Sequence, residues 1–235
     1  MRFSHADGIW TDFPELAAGV IRARGIAPGA DVSAAITRFD AVATARLGDG
    51  AESELPEIQA WRRAFSRMGL KPTQYRCASE ALLRRFRKEG SLPRIHPLID
   101  LCNAVSLAFA IPVAALDVSR IAWPLQVRRA EGSERYETFG GEIEHPEPGE
   151  VVFADAEGGA HARRWTNRQS GLSAVRDTTS EVLIVAEALH GDAAADIARL
   201  VEALAGELRA HWGSEPVTAV LRRDAPVFEV KAAAG

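Results

Sequence analysis

The chain has 235 residues, 47% of them hydrophobic and 26% charged, with a formal net charge of −4. That length allows one large core or two small ones, the net charge argues against bulk attraction to nucleic acid, and no apolar run approaches the ~20 residues of a membrane span. The opening MRFSHADGIW lacks the layout of a signal peptide, and Cys77 and Cys102 offer neither a disulfide framework nor a metal spacing, so a cytoplasmic protein with reduced thiols is expected.

Residues 2–26 read as short extended pieces separated by Asp-Gly and Phe-Pro turns, with LAAGVIRARGI as a strand that leaves at Gly25. A helix is predicted from about Asp31 to Leu47, with Val32, Ile36, Phe39, Val42 and Ala43 as its apolar positions, closed by Gly48-Asp49-Gly50. A second runs from about Pro56 to Met68 on an inner face of Ile58, Trp61, Phe65 and Met68, and ends at Gly69. The polar loop LKPTQYRCAS then leads to Ser79, read as the N-cap of a helix over Glu80–Lys88. A helix start preceded by Lys71, Tyr75 and Arg76 suits an anion such as a phosphate, or is simply a solvated connection.

Ten Lys and Arg residues lie between Trp61 and Arg94 against two acids, Glu80 and Glu89. Such a concentration on an acidic protein is either a local phosphate-binding surface or the Arg-rich solvated face of two amphipathic helices.

The stretch LPRIHPLIDLCNAVSLAFA carries the most information. His96 stands at a cap before Pro97, and Leu98, Leu101, Cys102, Val105, Ala108 and Phe109 fall on one helical face. His96, Asp100 and Asn103 share a neighbouring stripe, and no Lys, Arg or Glu occurs between Leu98 and Ala110. This helix should be buried on most sides, so Asp100 and Asn103 need partners or a pocket.

Beyond Pro112, a strand is expected near Leu125–Arg129, β-hairpins over 136–165, a turn-rich segment TNRQSGLSAVRDTTSEV and a buried strand EVLIVAEAL. Asp192 caps a long helix with Ile197, Leu200, Val201, Leu204, Leu208 and Trp212 on one stripe; PVTAVLRR is the last strand, and KAAAG is a tail without fold content. No repeat or composition break interrupts the chain, which reads as one mixed α/β domain. Searches for HExxH, a Walker loop, GxGxxG and GxSxG all fail, and the six histidines are scattered.

At IHPLIDLCNAVSLAFAIPVAALDVSRI the chain resembles the tRNA-binding and editing module, domains B-three and B-four, of the phenylalanyl-tRNA synthetase beta subunit. Asp100, Asn103, Pro112 and Asp117 match the pattern N-x-x-V-D-x-T-N-Y followed by G-x-P-x-H-A-x-D in register. SGLSAVRDTTSEVLIVAEAL resembles a second block, with Ser173, Val175, Thr179 and Val182 in place, and WRRAFSRMGLKPTQYRCASEALLRR and RRWTNRQSG look like freestanding versions of the module. The resemblance implies a single α+β domain over residues 1–230, a mostly antiparallel or mixed sheet flanked by helices, with a tail at 231–235. It implies hydrolysis of a mischarged aminoacyl-tRNA without metal or cofactor, tRNA as the partner and no membrane.

It also implies roles for particular residues. Asp100, Asn103, Arg168 and Thr178 would serve catalysis. Tyr75, Arg76, Ser79, Glu80, His96, Asp117, Glu142, Gln169 and Thr179 would hold substrate, and Arg62, Arg63, Lys71, Arg84, Arg85 and Lys88 the tRNA phosphates. Where the family has a pocket threonine, a histidine, a tyrosine-reading glutamate and its paired glycine, this chain has Cys102, Ala114, Val185 and Thr166. Loss of the tyrosine readers argues against tyrosyl cargo. Freestanding relatives include a canavanyl-tRNA deacylase, which makes a guanidinium-like cargo the leading expectation. The rival readings are an RNA-binding module without turnover and a pocket protein for free amino acids.

Overall fold

The computed structural model describes residues 1–48 and 50–230; Asp49, expected to help close the helix after Leu47, and residues 231–235 lie outside the described residues. Strand β1 (Arg2–His5) buries Phe3 and His5. The next residues are not extended as expected, because Asp7–Asp12 form a short helix, α1, that puts Ile9 and Trp10 into the core. Strand β2 (Ala17–Arg24) leaves through Gly25, whose φ of +77° needs a residue without a Cβ.

Helix α2 (Ser33–Leu47) starts where Asp31 accepts the Ser33 amide. Its Val42, expected inside, is 47% exposed. Helix α3 (Pro56–Arg67) begins on its proline and is stopped at Gly69, with Ile58, Trp61 and Phe65 fully buried. Helix α4 (Ala78–Glu89) starts earlier than predicted. Cys77 occupies the cap and Ser79 is buried inside the first turn, so Ser79 is not the N-cap.

Helix α5 (Pro97–Phe109) is capped as expected by His96, whose Nδ1 accepts the Leu98 amide at 3.1 Å. Eight of its side chains are buried, as a helix so poor in charge requires. Then follow β3 (Val113–Asp117), β4 (Leu125–Arg129), the small hairpin β5 (Tyr136–Glu137) and β6 (Ile143–Glu144), β7 (Val151–Ala154), β8 (Ala160–Arg163) and β9 (Arg168–Gln169). Strand β10 (Glu181–Ala188), α6 (Ala193–Trp212), β11 (Val217–Leu221) and an unexpected β12 (Val227–Glu229) complete the chain.

The strands form two main sheets, in the orders β12-β1-β4-β7-β8-β9 and β11-β2-β10-β3, the second antiparallel throughout. Side chains alternate across β10, so its two faces serve different cores. Val182, Ile184 and Ala186 pack with Leu101, Cys102 and Val105 of α5 and with Ile197, Leu200 and Leu204 of α6. Leu183 and Val185 face the six-stranded sheet and share a core with Phe3, Val127 and Phe153 and with Trp61 and Phe65 of α3. The fold is mixed α+β, two sheets flanked by helices, and among the described residues no helix is long and apolar enough to cross a membrane.

Candidate functional site

The face of β10 that looks toward the six-stranded sheet carries one residue out of keeping with its neighbours. Two positions after Val185, and so on the same face, stands Glu187, only 2% exposed. A lone carboxylate in such a place needs partners. Its Oε1 accepts from His5 Nε2 at 2.6 Å and from the Trp165 indole at 2.9 Å, and its main-chain carbonyl accepts from the Trp61 indole at 3.3 Å. The His5 pair ties β1 of one sheet to β10 of the other, and the His5 ring lies 5.0 Å from that of Trp10.

Glu187 forms the floor of a narrow cleft of about 60 Å³, room for about four waters. Pro112, Val113 and Ala114 at the head of β3, Val185 of β10, and Phe153 and Ala162 of the other sheet make its apolar walls. Its rim is the end of the turn before β9 (Thr166 and Asn167), β9 itself and Ala78, the first residue of α4. Ala114 and Val185 are cross-strand partners, so the cleft gathers Ala114, Thr166 and Val185, three of the positions at which the sequence departs from the editing-module pattern.

The rim is held in an uncommon backbone conformation. Arg164 and Trp165 have φ of +48° and +55°, a region that side-chain-bearing residues rarely occupy. The surroundings enforce it: the Arg164 amide donates to Glu150 Oε1 at 2.8 Å and the Trp165 amide to the Val151 carbonyl at 2.7 Å. The Glu150 carboxylate is in turn gripped by both Nε and Nη2 of Arg163 at 2.9 Å. Arg164 thereby lies over Tyr75, 4.9 Å from the ring centre, while the Asn167 amide donates to the Arg76 carbonyl at 2.7 Å and Ala78 N–H to the Thr166 carbonyl at 2.8 Å. Oγ1 of Thr166 is buried without a hydrogen-bond partner at the edge of the cleft.

The residues singled out from sequence are thus divided. Arg168 and Gln169 line the cleft, Arg168 paired with Glu144 at 3.2 Å and Gln169 donating to the Ala115 carbonyl at 2.8 Å. Tyr75 and Arg76 adjoin the rim through the contacts above. Asp100 and Asn103 do not reach it. They line a separate cleft of about 330 Å³ with Asp40 and Arg94, because α5 covers the opposite face of the four-stranded sheet; Oδ1 of Asp100 accepts the Ile95 amide at 2.8 Å. Thr178 is exposed and outside the cleft, and Glu142 is exposed in the turn between β5 and β6.

Thr179 and Asp117 bond each other at 2.7 Å and hold two loops together, Asp117 also accepting from Ser119. His96 is occupied as a cap, Ser79 is fully buried beside Cys77, and Glu80 is buried in a two-oxygen contact with Arg62.

The basic stretch is largely neutralised. Arg62 and Arg76 pair with Glu80, Arg84 and Arg87 with Glu52, Arg67 with Glu15, and Arg85 with Glu89. Among the described residues, Arg63, Lys71, Lys88 and Arg94 have no such pair and are exposed.

Two features that look chemical are structural. Ser173, His161 and Asp155 are linked by contacts of 2.8 Å and 3.0 Å in the manner of a hydrolase triad, yet Ser173 and His161 are 0% exposed and none of the three lines the cleft. A nucleophile must face its substrate. Asp155 instead clamps a turn, accepting the amides of Ala122, Glu157 and Gly159 as well. The thiols of Cys77 and Cys102 are pushed up to about 12 by burial, which leaves them protonated and inert at neutral pH.

Sequence reasoning missed Glu187, Trp165 and Phe153. A signal for the first was present, since Glu187 is the one acid inside the apolar run VLIVAEAL.

The B3/4 domain family model matches residues 60–205, more than half of the chain. The phenylalanine–tRNA ligase beta subunit of Shewanella oneidensis is 27% identical over 116 residues, which are 49% of this chain and 14% of that one. The corresponding subunit of Thermobifida fusca is 32% identical over 97 residues, 41% of this chain and 11% of that one. The chain therefore spans about a seventh or less of these relatives. An N-terminal fragment of the phenylalanyl-tRNA synthetase beta subunit from Pyrococcus horikoshii superposes with a TM-score of 0.48 at 10% identity, over 91% of this chain and 49% of that one. With the family model covering most of α3 through α6, the chain belongs to the B3/4 domain family.

Proposed function

We propose that the chain is an aminoacyl-tRNA deacylase that works in trans, with residues 1–230 as one tRNA-binding and editing unit, and that its cargo carries a cationic side chain. Canavanyl-tRNA of the arginine acceptor is the leading substrate. The observation that carries the reading is the floor of the cleft, where one carboxylate, Glu187, lies beneath apolar walls. A slot of about 60 Å³ takes the end of a side chain and leaves the ester at the rim. A guanidinium there meets a carboxylate whose other partners already fix its orientation.

Water adds to the aminoacyl carbonyl carbon, the bond to the ribose oxygen breaks, and the proton lost by the water ends on that oxygen. Free amino acid and uncharged tRNA leave. Arg168, Gln169 and the free Thr166 hydroxyl stand at the rim, where charge develops on the carbonyl oxygen, and fixed donors at such a place lower the barrier. In this proposal Tyr75 and Arg76 meet the terminal nucleoside. Asp100, Asn103 and Thr178 make no contact with the ester, and Arg63, Lys71 and Lys88 meet the phosphates.

The test is release of amino acid from a panel of mischarged tRNAs. Canavanyl-tRNA is hydrolysed and tyrosyl-tRNA is not, and Glu187→Gln lowers kcat/KM on canavanyl-tRNA by about 100-fold or more, since it leaves the buried cation unpaired. Equal activity on both substrates overturns the assignment. A second reading, an RNA-binding module without turnover, is favoured by one observation, Ala114 in place of the family's histidine. It predicts salt-sensitive tRNA binding with no release from any member of the panel.

A further inference from the structure

Outside the cleft, three groups distant in sequence meet: Glu57 in the first turn of α3, His190 just after β10, and Asp196 in the first turn of α6. One ligating atom from each lies within 4.8 Å of the other two. Glu57 and His190 are 5% and 7% exposed, and each keeps a buried atom without any hydrogen-bond partner, Oε2 of Glu57 and Nδ1 of His190. Buried polar atoms are nearly always satisfied, so the orphaned Glu57 oxygen beside His190 and Asp196 marks a missing neighbour.

We propose that Glu57, His190 and Asp196 bind a divalent transition-metal ion of the zinc class. The remaining contacts are those that orient metal ligands. Arg46 Nη2 holds the other Glu57 oxygen, Oε1, at 2.7 Å and also reaches the Ala108 carbonyl from Nη1. Arg199 holds Oδ1 of Asp196, and Oδ2 lies 2.8 Å from His190 Nε2. An ion bound by all three residues takes the place of the proton shared by His190 Nε2 and Asp196 Oδ2, with Glu57 Oε2 as the third ligand atom. Ligand atoms around a bound zinc stand roughly 3 to 4 Å apart, so side-chain movements of about 1 Å bring the three into range and leave a fourth position for solvent.

Local charge selects among cations. Arg46, Arg199 and the N-termini of α3 and α6 all oppose a positive ion, which disfavours ions held by charge alone, such as Mg²⁺ and Ca²⁺. A nitrogen ligand favours Zn²⁺, Co²⁺ or Ni²⁺. The ion has a way in, since Glu57 and Asp196 line a surface cleft of about 420 Å³ between α2, α5 and α6. Bound there, it would fasten α3 to α6 and to the end of β10. The residues span 57–196, so no sequence spacing announces them.

The experiment is calorimetric titration of Zn²⁺ into chelator-treated full-length protein, with Co²⁺ absorption in the visible and the thermal midpoint as further readouts. One equivalent binds, Co²⁺ gives a d–d band, and Zn²⁺ raises the midpoint. His190→Ala removes all three responses. Glu57→Gln, which keeps the size of the side chain, weakens binding at least tenfold and serves if His190→Ala does not fold. Absence of stoichiometric binding to the wild type overturns the site, as does a Co²⁺ band unchanged in both variants. Neither outcome bears on deacylation, which is read separately at Glu187.

Discussion

At the scale of single residues, Glu187 distinguishes a substrate reader from a structural tie. Its contacts to His5 and Trp165 both fall on Oε1. Glu187→Gln should therefore retain the fold, by circular dichroism and thermal midpoint within a few degrees, while losing discrimination in favour of cationic cargo. An equal loss on every aminoacyl-tRNA would point to positioning and not to side-chain recognition. The thiols give a second prediction. With Cys77 and Cys102 held protonated by burial, native protein at pH 7 to 8 should resist alkylation by iodoacetamide and keep full deacylation, whereas unfolded protein should take up two equivalents by mass spectrometry. Activity lost in step with native alkylation would restore a thiol to the mechanism.

At the scale of elements, the four-stranded sheet and α6 approach closely at Gly19. A Cβ built there would meet Val201 Cγ2 at 2.5 Å and Ile197 Cγ2 at 3.0 Å. Both are stiff branched side chains in a packed helix, so Gly19→Ala should cost about 1 to 3 kcal/mol, read from the urea midpoint. No loss would mean that α6 can lift off the sheet. The turn after β7 makes a pH prediction. Burial works to raise the Asp155 carboxyl, but the hydrogen bond from His161 and the amides of Gly159 and Ala122 outweigh it and bring it down to about 2 from the ordinary 3.8. A depressed carboxyl stabilises the fold above its unfolded value and ceases to do so below its folded one. The contribution, roughly 2 kcal/mol, is thus present at neutral pH and lost as pH falls from about 4 to about 2. Asp155→Asn should be less stable than wild type at pH 7 and approach it at pH 2, and a constant gap across that range would refute the assignment.

For the molecule as a whole, the charge pattern and its pairing make separate predictions. Neutralising Arg84 and Arg87 together strands the buried Glu52 carboxylate and should lower stability. Neutralising Arg63 or Lys71 should leave stability alone and reduce the salt dependence of tRNA binding by about one unit of slope for each cation. The reverse pattern would move the RNA to another face. Periodicity announced α2, α3, α5 and α6 because each buries one stripe, and β10 because its run is continuously apolar. It could not announce α1, β9 or β12, which are short and owe their form to tertiary pairing. The Asp100–Asn103 stripe was legible as a polar face needing partners or a pocket, and both residues are half-buried, but which side of the sheet α5 would cover is not a local property. Trp165 joins the cleft only through the left-handed turn that Glu150 and Val151 impose from elsewhere in the chain.

One further consequence belongs to the place of the cleft between two sheets. Its aperture is set by how far β7 and β8 stand from β10, and that spacing is fixed by shared packing around Phe3, Val127 and Leu183, none of which lines the opening. If the cleft reads cargo as proposed, cargo size can therefore drift through remote, volume-changing substitutions that leave every lining residue intact, and two relatives with identical cleft residues need not accept the same amino acid.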